Sequence, residues 1–327
     1  NSLADPVRAV LRKILSRTNI PEPWFDTLLP RPDEENLDAY LSLLGRHLEG
    51  CPLPIKHSTG KAQETELTVV DFLDSDGYLP RLTAQFRLRP GQLYFAKKVE
   101  EATRIGRPYL IEAGTGTGKT LAYLFPLLLS KKRSYVATHT RTLQDQAWNK
   151  DVPLVLEALS LAGVKRSVAI LKGKNNYFCP QTFAHWLEEL DEGVSSDDAF
   201  LIAAIARWAL ITETGWLSEL ENSVHPSFLR NFGRDQAPPS LDSNWVISDP
   251  HTRAREAAAS ADLVLVNHSF VFSTAQFQTA EDSDIEILLI DEAHAIEDVV
   301  TEALTLDFTP WQLRDELASL LKRDRSK

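Results

Sequence analysis

A glycine-rich segment, residues 113–120, has the residue types that bind phosphate groups. It reads Ala113-Gly114-Thr115-Gly116-Thr117-Gly118-Lys119-Thr120. It matches the phosphate-binding loop, with alanine in place of the usual first glycine. Glycines let backbone N–H groups turn toward phosphate oxygens, and a following helix presents its free N–H groups to the same oxygens. Lys119 would then lie against the β- and γ-phosphates, and the Thr120 hydroxyl would bind Mg²⁺. A simple loop is the alternative, and the apolar segments on both sides argue against it.

Two acids, Asp291 and Glu292, directly follow the apolar run Ile287–Ile290. A strand ending in two acids places both carboxylates at the carboxyl edge of a parallel sheet, where open α/β folds bind ligands. Asp291 would hold Mg²⁺, mostly through water. Glu292 would orient and deprotonate the attacking water, and His294 would connect the γ-phosphate to the rest of the protein. The alternative is that the acids only begin the next helix, where its dipole favours negative charge.

These motifs need a framework, and short apolar runs that alternate with amphipathic segments from Arg89 onward predict one. The alternation favours an α/β fold with a parallel sheet, because runs rich in branched residues suit strands that are buried on both faces. The predicted strands are Tyr109–Glu112, Tyr135–Thr138, Val168–Leu171, Leu263–Val266 and Ile287–Ile290. The predicted helices between them include Leu93–Arg104, Lys119–Ser130, Val152–Leu161 and His251–Ser260.

The chain is predicted to contain an accessory domain, an α/β domain and an insertion. Residues 1–85 would form a small, mainly helical domain, with helices at Pro6–Ser16 and Glu34–Glu49 and a linker at Gly50–Gly60. Lys119 and Asp291 lie far apart for two motifs of one domain, so residues 176–260 are predicted as an insertion, with a helix at Asp197–Leu210 and a loop at Gly233–Ser243. The α/β domain would then be 86–175 and 261–310. Residues 311–327 would begin a further insertion or be a truncated end.

Composition and charge narrow the class of protein. Hydrophobic residues make up 43% of the 327, and the formal net charge is −11. No apolar run reaches the ~20 residues that span a bilayer, so we expect a soluble, cytoplasmic protein without a membrane partner. Between Lys131 and Lys174, nine Lys or Arg stand against three Asp or Glu. This excess is either a solvated helix face or a nucleic-acid surface.

Several segments, in order along the chain, together resemble DinG-type helicases of the DinG/XPD group in superfamily two. The resemblance covers roughly residues 68–310. Its segments are Asp71-Phe72-Leu73 with Asp76-Gly77, Arg89-Pro90-Gly91-Gln92, the phosphate-binding loop, Thr138–Gln146, Leu171–Tyr177, Val266-Asn267-His268 and the Asp291-Glu292-Ala293-His294 box.

The resemblance implies a RecA-like phosphate-loop domain in an ATP-dependent DNA helicase or translocase that moves 5′ to 3′ on single-stranded DNA. It also implies that Gln92 reads the adenine edge. The residues it implies for nucleic-acid contact are Thr138, His139, Thr140, Arg141, Gln144 and Lys172. Hydroxyls and an arginine at a strand end suit phosphate contacts that read no sequence, and this segment lies in the basic window. A strand-to-helix turn capped by threonines is the alternative.

The chain departs from the family pattern in two respects. Many members hold an iron–sulfur cluster with four cysteines. Here Cys179 is at the position of the first, with no further cysteine up to Asn267. One thiolate cannot hold such a cluster, so we predict none and expect a buried structural thiol. The pattern is then similar to cluster-lacking branches, in Gram-positive bacteria or among CRISPR-associated DinG proteins, and the lack of nuclease motifs favours the second. Such helicases also need a second RecA-like domain, for which this chain has no segment.

Two other function classes stay open from the residues alone. One is a phosphate-loop ATPase that acts on a protein or a small molecule, which would leave the Thr138–Gln146 segment without a role. The other is a nucleotide-binding module that recruits a protein partner through residues 1–85. DNA-stimulated ATP hydrolysis would distinguish the helicase from both.

Overall fold

The computed structural model describes most of the chain in seven segments. These are residues 37–60, 66–83, 86–114, 116–188, 196–234, 249–272 and 285–305, to which the helical residues Val7, Val10, Leu11, Arg12 and Ile14 are added. The predicted segment 311–327 lies outside the described residues, as does most of the predicted loop Gly233–Ser243. Among the described helices, none is long and apolar enough to cross a membrane.

The described strands form one sheet in which four of the five strands are parallel. They are β1 Ile55–His57, β2 Ser134–Thr138, β3 Ser167–Ile170, β4 Leu263–Asn267 and β5 Ile287–Ile290. Their spatial order is β1-β3-β4-β2-β5, and β1 pairs antiparallel to β3. In the central pairs Val136 lies beside Leu265 on one side and Leu289 on the other. Parallel pairing brings the carboxyl ends of β2, β4 and β5 to one edge.

Helices precede, connect and follow these strands. They are α1 Leu37–Gly50, α2 Val69–Leu73, α3 Tyr78–Leu82, α4 Gln92–Ile105, α5 Lys119–Leu129, α6 Arg141–Gln146, α7 Val152–Leu161, α8 Pro180–Glu188, α9 Ser196–Ala209, α10 Pro226–Leu229, α11 Pro250–Ser260, α12 His268–Phe272 and α13 Ile296–Leu304. A π-helical turn, Ala147–Asp151, joins α6 to α7. Together with the mainly parallel sheet, this alternation makes the fold a RecA-like α/β fold.

Most predicted elements are confirmed within one to three residues at either end, and β5 and α7 have the predicted bounds. Strands β2, β3 and β4 are almost wholly buried. A run of branched apolar residues identifies such strands because both of their faces need apolar contacts.

Two predictions about strands are wrong. The segment Tyr109–Glu112 is not a strand, and Leu110 is 89% exposed. A strand needs a neighbour for its backbone N–H and C=O groups, and none of the five described strands pairs with this segment. The predicted linker Gly50–Gly60 instead contains β1, whose Lys56 pairs with Val168 of β3. Strand β1 has only three residues, which is too short for an alternating apolar and polar pattern to identify it in the sequence.

The buried side chains form two hydrophobic cores. The first packs the sheet against helices that include α2, α4, α5, α7 and α11. The second joins residues near the amino terminus, such as Val10 and Leu44, to residues of the predicted insertion, such as Phe178 and Ile202. Tyr40 of α1 donates a hydrogen bond to the carbonyl of Ala206 in α9 at 2.7 Å.

The described part of the predicted accessory domain is therefore divided between the two cores. Residues of α1 pack against the insertion, β1 extends the sheet, and α2 and α3 pack near the sheet. The two hydrophobic cores therefore do not divide the chain at residue 85, the predicted end of the accessory domain.

Candidate nucleotide site and adjoining nucleic-acid segment

The phosphate-binding loop leads into α5, which begins at Lys119. Gly116 and Gly118 have φ angles of 75° and 76°, in the left-handed region that favours glycine. The Thr117 hydroxyl donates to the carbonyl of Gly114 at 2.9 Å, which closes the turn. Thr115 is the one loop residue outside the described part of the chain, and Ala113 precedes the turn in irregular backbone. The glycines thus form the turn that the motif predicts.

Gln92 lies beneath this loop. Its Nε2 donates to the carbonyl of Gly118 at 3.1 Å, and its Oε1 accepts from the backbone N–H of Arg89 at 3.3 Å. A Cβ at Gly118 would lie 2.4 Å from Gln92 Nε2, so only glycine fits there. Gln92 is buried and both ends of its amide already have partners. An amide has two N–H donors and two acceptor positions, so a second hydrogen bond at each end remains possible for an adenine edge.

Two predicted catalytic side chains contact each other across the site. Lys119 Nζ lies 3.0 Å from Glu292 Oε1, and both side chains are partly exposed. Glu292 has φ 52° and ψ 47°, a left-handed conformation that is uncommon outside glycine and costs energy. His294 Nδ1 lies 3.4 Å from the other oxygen of Glu292, and its own side chain is 77% exposed. A phosphate group that enters the site would compete with Glu292 for Lys119.

Asp291 is held at both of its carboxylate oxygens. Oδ1 accepts from the backbone N–H of Glu292 at 3.0 Å, and Oδ2 accepts from the hydroxyl of Tyr123 at 3.3 Å. Burial raises the pKa of Asp291, while the positive charge of Lys119 opposes the shift. The Asp291 carboxylate and the Thr120 hydroxyl are hard oxygen donors, and Tyr123, which contacts Asp291, lies one helical turn after Thr120. The donor set therefore fits Mg²⁺.

The predicted nucleic-acid segment begins at the adjacent strand end. The backbone N–H of Asp291 donates to the carbonyl of Ala137 in β2 at 2.9 Å, so the two motifs meet at one edge of the sheet. Thr140 caps α6, because its hydroxyl accepts from the backbone N–H of Leu143 at 3.2 Å. The segment thus contains the threonine-capped strand-to-helix turn that was the alternative to nucleic-acid contact. Thr140 is nevertheless exposed.

Three residues that were predicted to touch nucleic acid require correction, because their side chains are buried. The Thr138 hydroxyl lies 3.2 Å from the carbonyl oxygen of Thr140 and 3.3 Å from that of Val266, and it donates its single hydrogen to one of them. Gln144 Nε2 donates to the carbonyls of Leu171 and Leu265 at 3.0 and 2.9 Å. These contacts connect the ends of neighbouring strands, so neither side chain can reach a strand of nucleic acid in this structure.

Lys172 is the third buried residue, with its side chain 1% exposed. Its Nζ lies 2.6 Å from Asp145 Oδ1 and 3.7 Å from the centre of the Trp216 ring. Burial lowers the pKa of Lys172, and Asp145 opposes that shift. The Lys172 ammonium group thus pairs with Asp145 inside the protein, and it is not part of an exposed basic surface.

His139, Thr140 and Arg141 remain accessible at this edge. Arg141 Nη1 lies 2.9 Å from Asn176 Oδ1 and 3.4 Å from Glu221 Oε1. Both Arg141 and Glu221 are solvent exposed, and such pairs contribute about 0–1 kcal/mol, so a phosphate can displace this one. The accessible part of the predicted segment is therefore three consecutive residues.

Comparison with known proteins agrees with this geometry. The DEAD_2 family matches residues 248–313, a range that contains β4, β5 and the acidic box. The ATP-dependent DNA helicase YoaA of Haemophilus influenzae is 32% identical over 269 residues, which cover 76% of this chain and 39% of that protein. The 3′-5′ exonuclease DinG of Bacillus subtilis is 31% identical, over 74% of this chain and 26% of that protein. The chain carries a DinG-like domain of helicase superfamily two.

A third relative, the ATP-dependent helicase DinG of Mycobacterium tuberculosis H37Rv, is 29% identical over 68% of this chain and 36% of its own length. The DinG-like chain thus spans between a quarter and two fifths of the proteins it matches.

Cys179 directly follows Phe178, a residue of the second core of the DinG-like chain. Its side chain is buried, and its Sγ donates to Gln181 Oε1 at 3.3 Å. The expected buried thiol is confirmed. The absence of an iron–sulfur cluster stays a prediction that rests on the cysteine count.

Sequence reasoning missed two residues at the nucleotide site. Tyr123 was taken as part of an apolar helix, although it is the one hydroxyl between Leu121 and Leu129 and lies one turn after Thr120. His268 was noted in the family pattern without a role. It is buried, and its Nε2 donates to the carbonyl of Asp291 at 2.7 Å, while its ring lies 5.6 Å from that of His139. Burial lowers the pKa of His268.

Proposed function

We propose that the protein containing this chain is an ATP-dependent motor that acts on single-stranded DNA as a helicase or translocase. The observation that carries the proposal is the backbone hydrogen bond from Asp291 to Ala137. It joins the acidic box to the strand end that bears His139, Thr140 and Arg141. A change in position at one motif would reach the other through this bond.

At the nucleotide site, the phosphates of ATP would take Lys119 from Glu292. Lys119 would then neutralise charge on the β- and γ-phosphates, while the backbone N–H groups around Gly116 and Gly118 contact their oxygens. Glu292, once released, would orient the attacking water and accept its proton. Thr120 and Asp291 would hold Mg²⁺, which balances the negative charge of the phosphates. His294, which contacts Glu292, would sense whether the γ-phosphate is present.

At the nucleic-acid segment, His139, Thr140 and Arg141 would contact the sugar-phosphate backbone. Such contacts position a strand without reading its sequence. Thr138, Gln144 and Lys172 would support this surface from beneath. His268 lies between His139 and the carbonyl of Asp291, so it would help to couple strand binding to the acidic box.

Other features of the proposal rest on the family resemblance. They are movement from 5′ to 3′, the reading of adenine by Gln92, the absence of an iron–sulfur cluster, and a second RecA-like domain that supplies an arginine to the transition state. Such an arginine contributes ~10³–10⁵-fold in related phosphoryl transfers. The domain limits given from the sequence and a protein partner for residues 1–85 are proposed on the same basis.

The test is ATP hydrolysis by the full-length protein, with and without a single-stranded oligo-dT. We expect strong stimulation by DNA, and a loss of at least about 10²-fold in the Lys119→Ala variant, since the lysine stabilises transition-state charge. Hydrolysis that depends on Lys119 but not on DNA would instead support an ATPase that acts on a protein or a small molecule.

A further inference from the structure

Tyr123 is a buried polar residue on an otherwise apolar stretch of helix. It lies on α5, three residues after Thr120, so both side chains occupy the same face of the helix. Its side chain is 1% exposed and belongs to the first core. From Leu121 to Leu129 no other side chain carries a polar group. Burying a hydroxyl is costly unless it is hydrogen-bonded, and phenylalanine would fill the same space without that cost.

The Tyr123 hydroxyl donates to Asp291 Oδ2 at 3.3 Å. A phenol has a single hydrogen and an ionised carboxylate has none, so Tyr123 is the donor in this contact. The Tyr123 side chain has little access to water, so this carboxylate is the partner that its hydroxyl finds inside the core.

This bond matters for a metal ligand. A carboxylate binds a cation through its oxygen lone pairs, so its orientation decides which lone pairs can face the ion. Asp291 keeps Oδ1 against the backbone N–H of Glu292 and Oδ2 against Tyr123, which fixes its orientation.

We propose that Tyr123 is a positioning residue that orients the Asp291 carboxylate for Mg²⁺ through the hydrogen bond from its hydroxyl to Oδ2. The proposal rests on the nucleotide site proposed above and adds a residue to it. Tyr123 acts only through Asp291. Its hydroxyl therefore contributes to the metal-dependent part of nucleotide binding and not to the part that the phosphate-binding loop supplies alone.

The experiment measures equilibrium binding of a fluorescent ADP analogue to the full-length protein, without turnover, in EDTA and over a series of free Mg²⁺ concentrations. In Tyr123→Phe we expect the dissociation constant in EDTA to stay within about 2-fold of wild type. We expect the Mg²⁺ concentration at half-saturation to rise about 10-fold, the lower end of the range found when a partner of a metal ligand is removed.

Tyr135→Phe is the matched control. Tyr135 is a tyrosine of the same core, equally buried, on β2. It should leave both the EDTA and the Mg²⁺ titration unchanged, and the thermal midpoints of both variants report their folding.

The possible outcomes distinguish a failure of the positioning role of Tyr123 from a failure of the proposed nucleotide site. If Tyr123→Phe leaves the Mg²⁺ dependence of wild type unchanged, or weakens binding equally in EDTA and Mg²⁺, the positioning role is overturned while the nucleotide site stands. If wild type itself binds nucleotide no more tightly with Mg²⁺ than in EDTA, the proposed Mg²⁺ ligands fail together with the positioning role. If wild type binds nucleotide in neither condition, the proposed nucleotide site fails.

Discussion

At the end of β5, Lys119 and Glu292 face each other with both side chains partly exposed. At the end of β2, one strand away, Thr138 and Gln144 are buried with their polar atoms on backbone carbonyls. A ligand can displace an exposed ion pair at small cost, whereas a buried polar group that loses its partner costs about 1–3 kcal/mol. Residues of the first kind can therefore exchange partners during a reaction cycle, and residues of the second kind hold the edge in place.

The largest effect that would test this difference is expected at Gln144. The change Gln144→Ala removes the side-chain donor of the Leu171 carbonyl, whereas the Leu265 carbonyl keeps the backbone N–H of Leu171, so we expect a loss of about 1–3 kcal/mol in the free energy of unfolding. Thermal unfolding of the full-length protein measures it. Affinity for oligo-dT, measured well below the thermal midpoint, should stay within about 2-fold of wild type. A large loss of affinity in a stable Gln144→Ala protein would mean that this residue does touch DNA.

Arg141, three residues earlier on the same helix, should behave in the opposite way. Arg141→Ala should change the free energy of unfolding by less than about 0.5 kcal/mol, since its partners are exposed. It should weaken binding to oligo-dT and lower the slope of log affinity against log salt by about 1, as expected for the loss of one phosphate contact. The measurement is a titration of DNA binding at several salt concentrations. An unchanged salt slope would remove Arg141 from the interface.

The difference between exposed and buried polar residues also explains which features could be predicted from the sequence. The phosphate-binding loop and the acidic box were predictable because each role demands a residue type at a fixed spacing, as with the positive φ angles of Gly116 and Gly118. The buried strands were predictable because an apolar run suits only a buried strand or a buried helix. The motif containing Thr138 and Gln144 did not separate contact from support, because an amide or a hydroxyl serves either purpose and only burial distinguishes the two.

What the sequence could not supply came from contacts between distant segments. Strand β1 forms because its three residues pair with β3, which lies more than a hundred positions later in the sequence. The local sequence pattern around β1 does not reveal this long-range pairing. The contact between Tyr40 and Ala206 in the second core is not revealed for the same reason. The role of Tyr123 is hidden because a tyrosine in an apolar helix is compatible with ordinary packing until its hydroxyl is seen against Asp291.

Asp151 is neither part of the exposed ion pair nor one of the buried polar residues at the sheet edge, and we expect it to have a smaller effect on stability. Burial raises its pKa to about 6, with Lys150 opposing the shift, so the folded state holds a proton that the unfolded state loses at lower pH. Stability is therefore lost as the pH rises from about 4 to about 6. The full difference from the ordinary value of 3.8 would correspond to about 3 kcal/mol. Solvent around this partly exposed carboxyl reduces it to about 1 kcal/mol.

The Asp151→Asn variant keeps the uncharged form at every pH. It should match wild type near pH 4 and be about 1 kcal/mol more stable above pH 6. Thermal unfolding of both proteins across this range measures the difference. An equal stability of the two proteins at pH 7 would show that the folded protein does not disfavour the ionised form of Asp151.

The most direct measurement for the catalytic edge is the affinity of the full-length protein for ATP in the Glu292→Gln variant, at fixed Mg²⁺. The account holds that Glu292 occupies Lys119 until phosphates arrive. Removing the negative charge should therefore strengthen ATP binding about 2- to 5-fold, in line with the free energy of a partly exposed ion pair, while hydrolysis is lost. Weaker ATP binding in Glu292→Gln than in wild type would contradict the account, because it would mean that Glu292 supports the bound nucleotide instead of competing with it for Lys119.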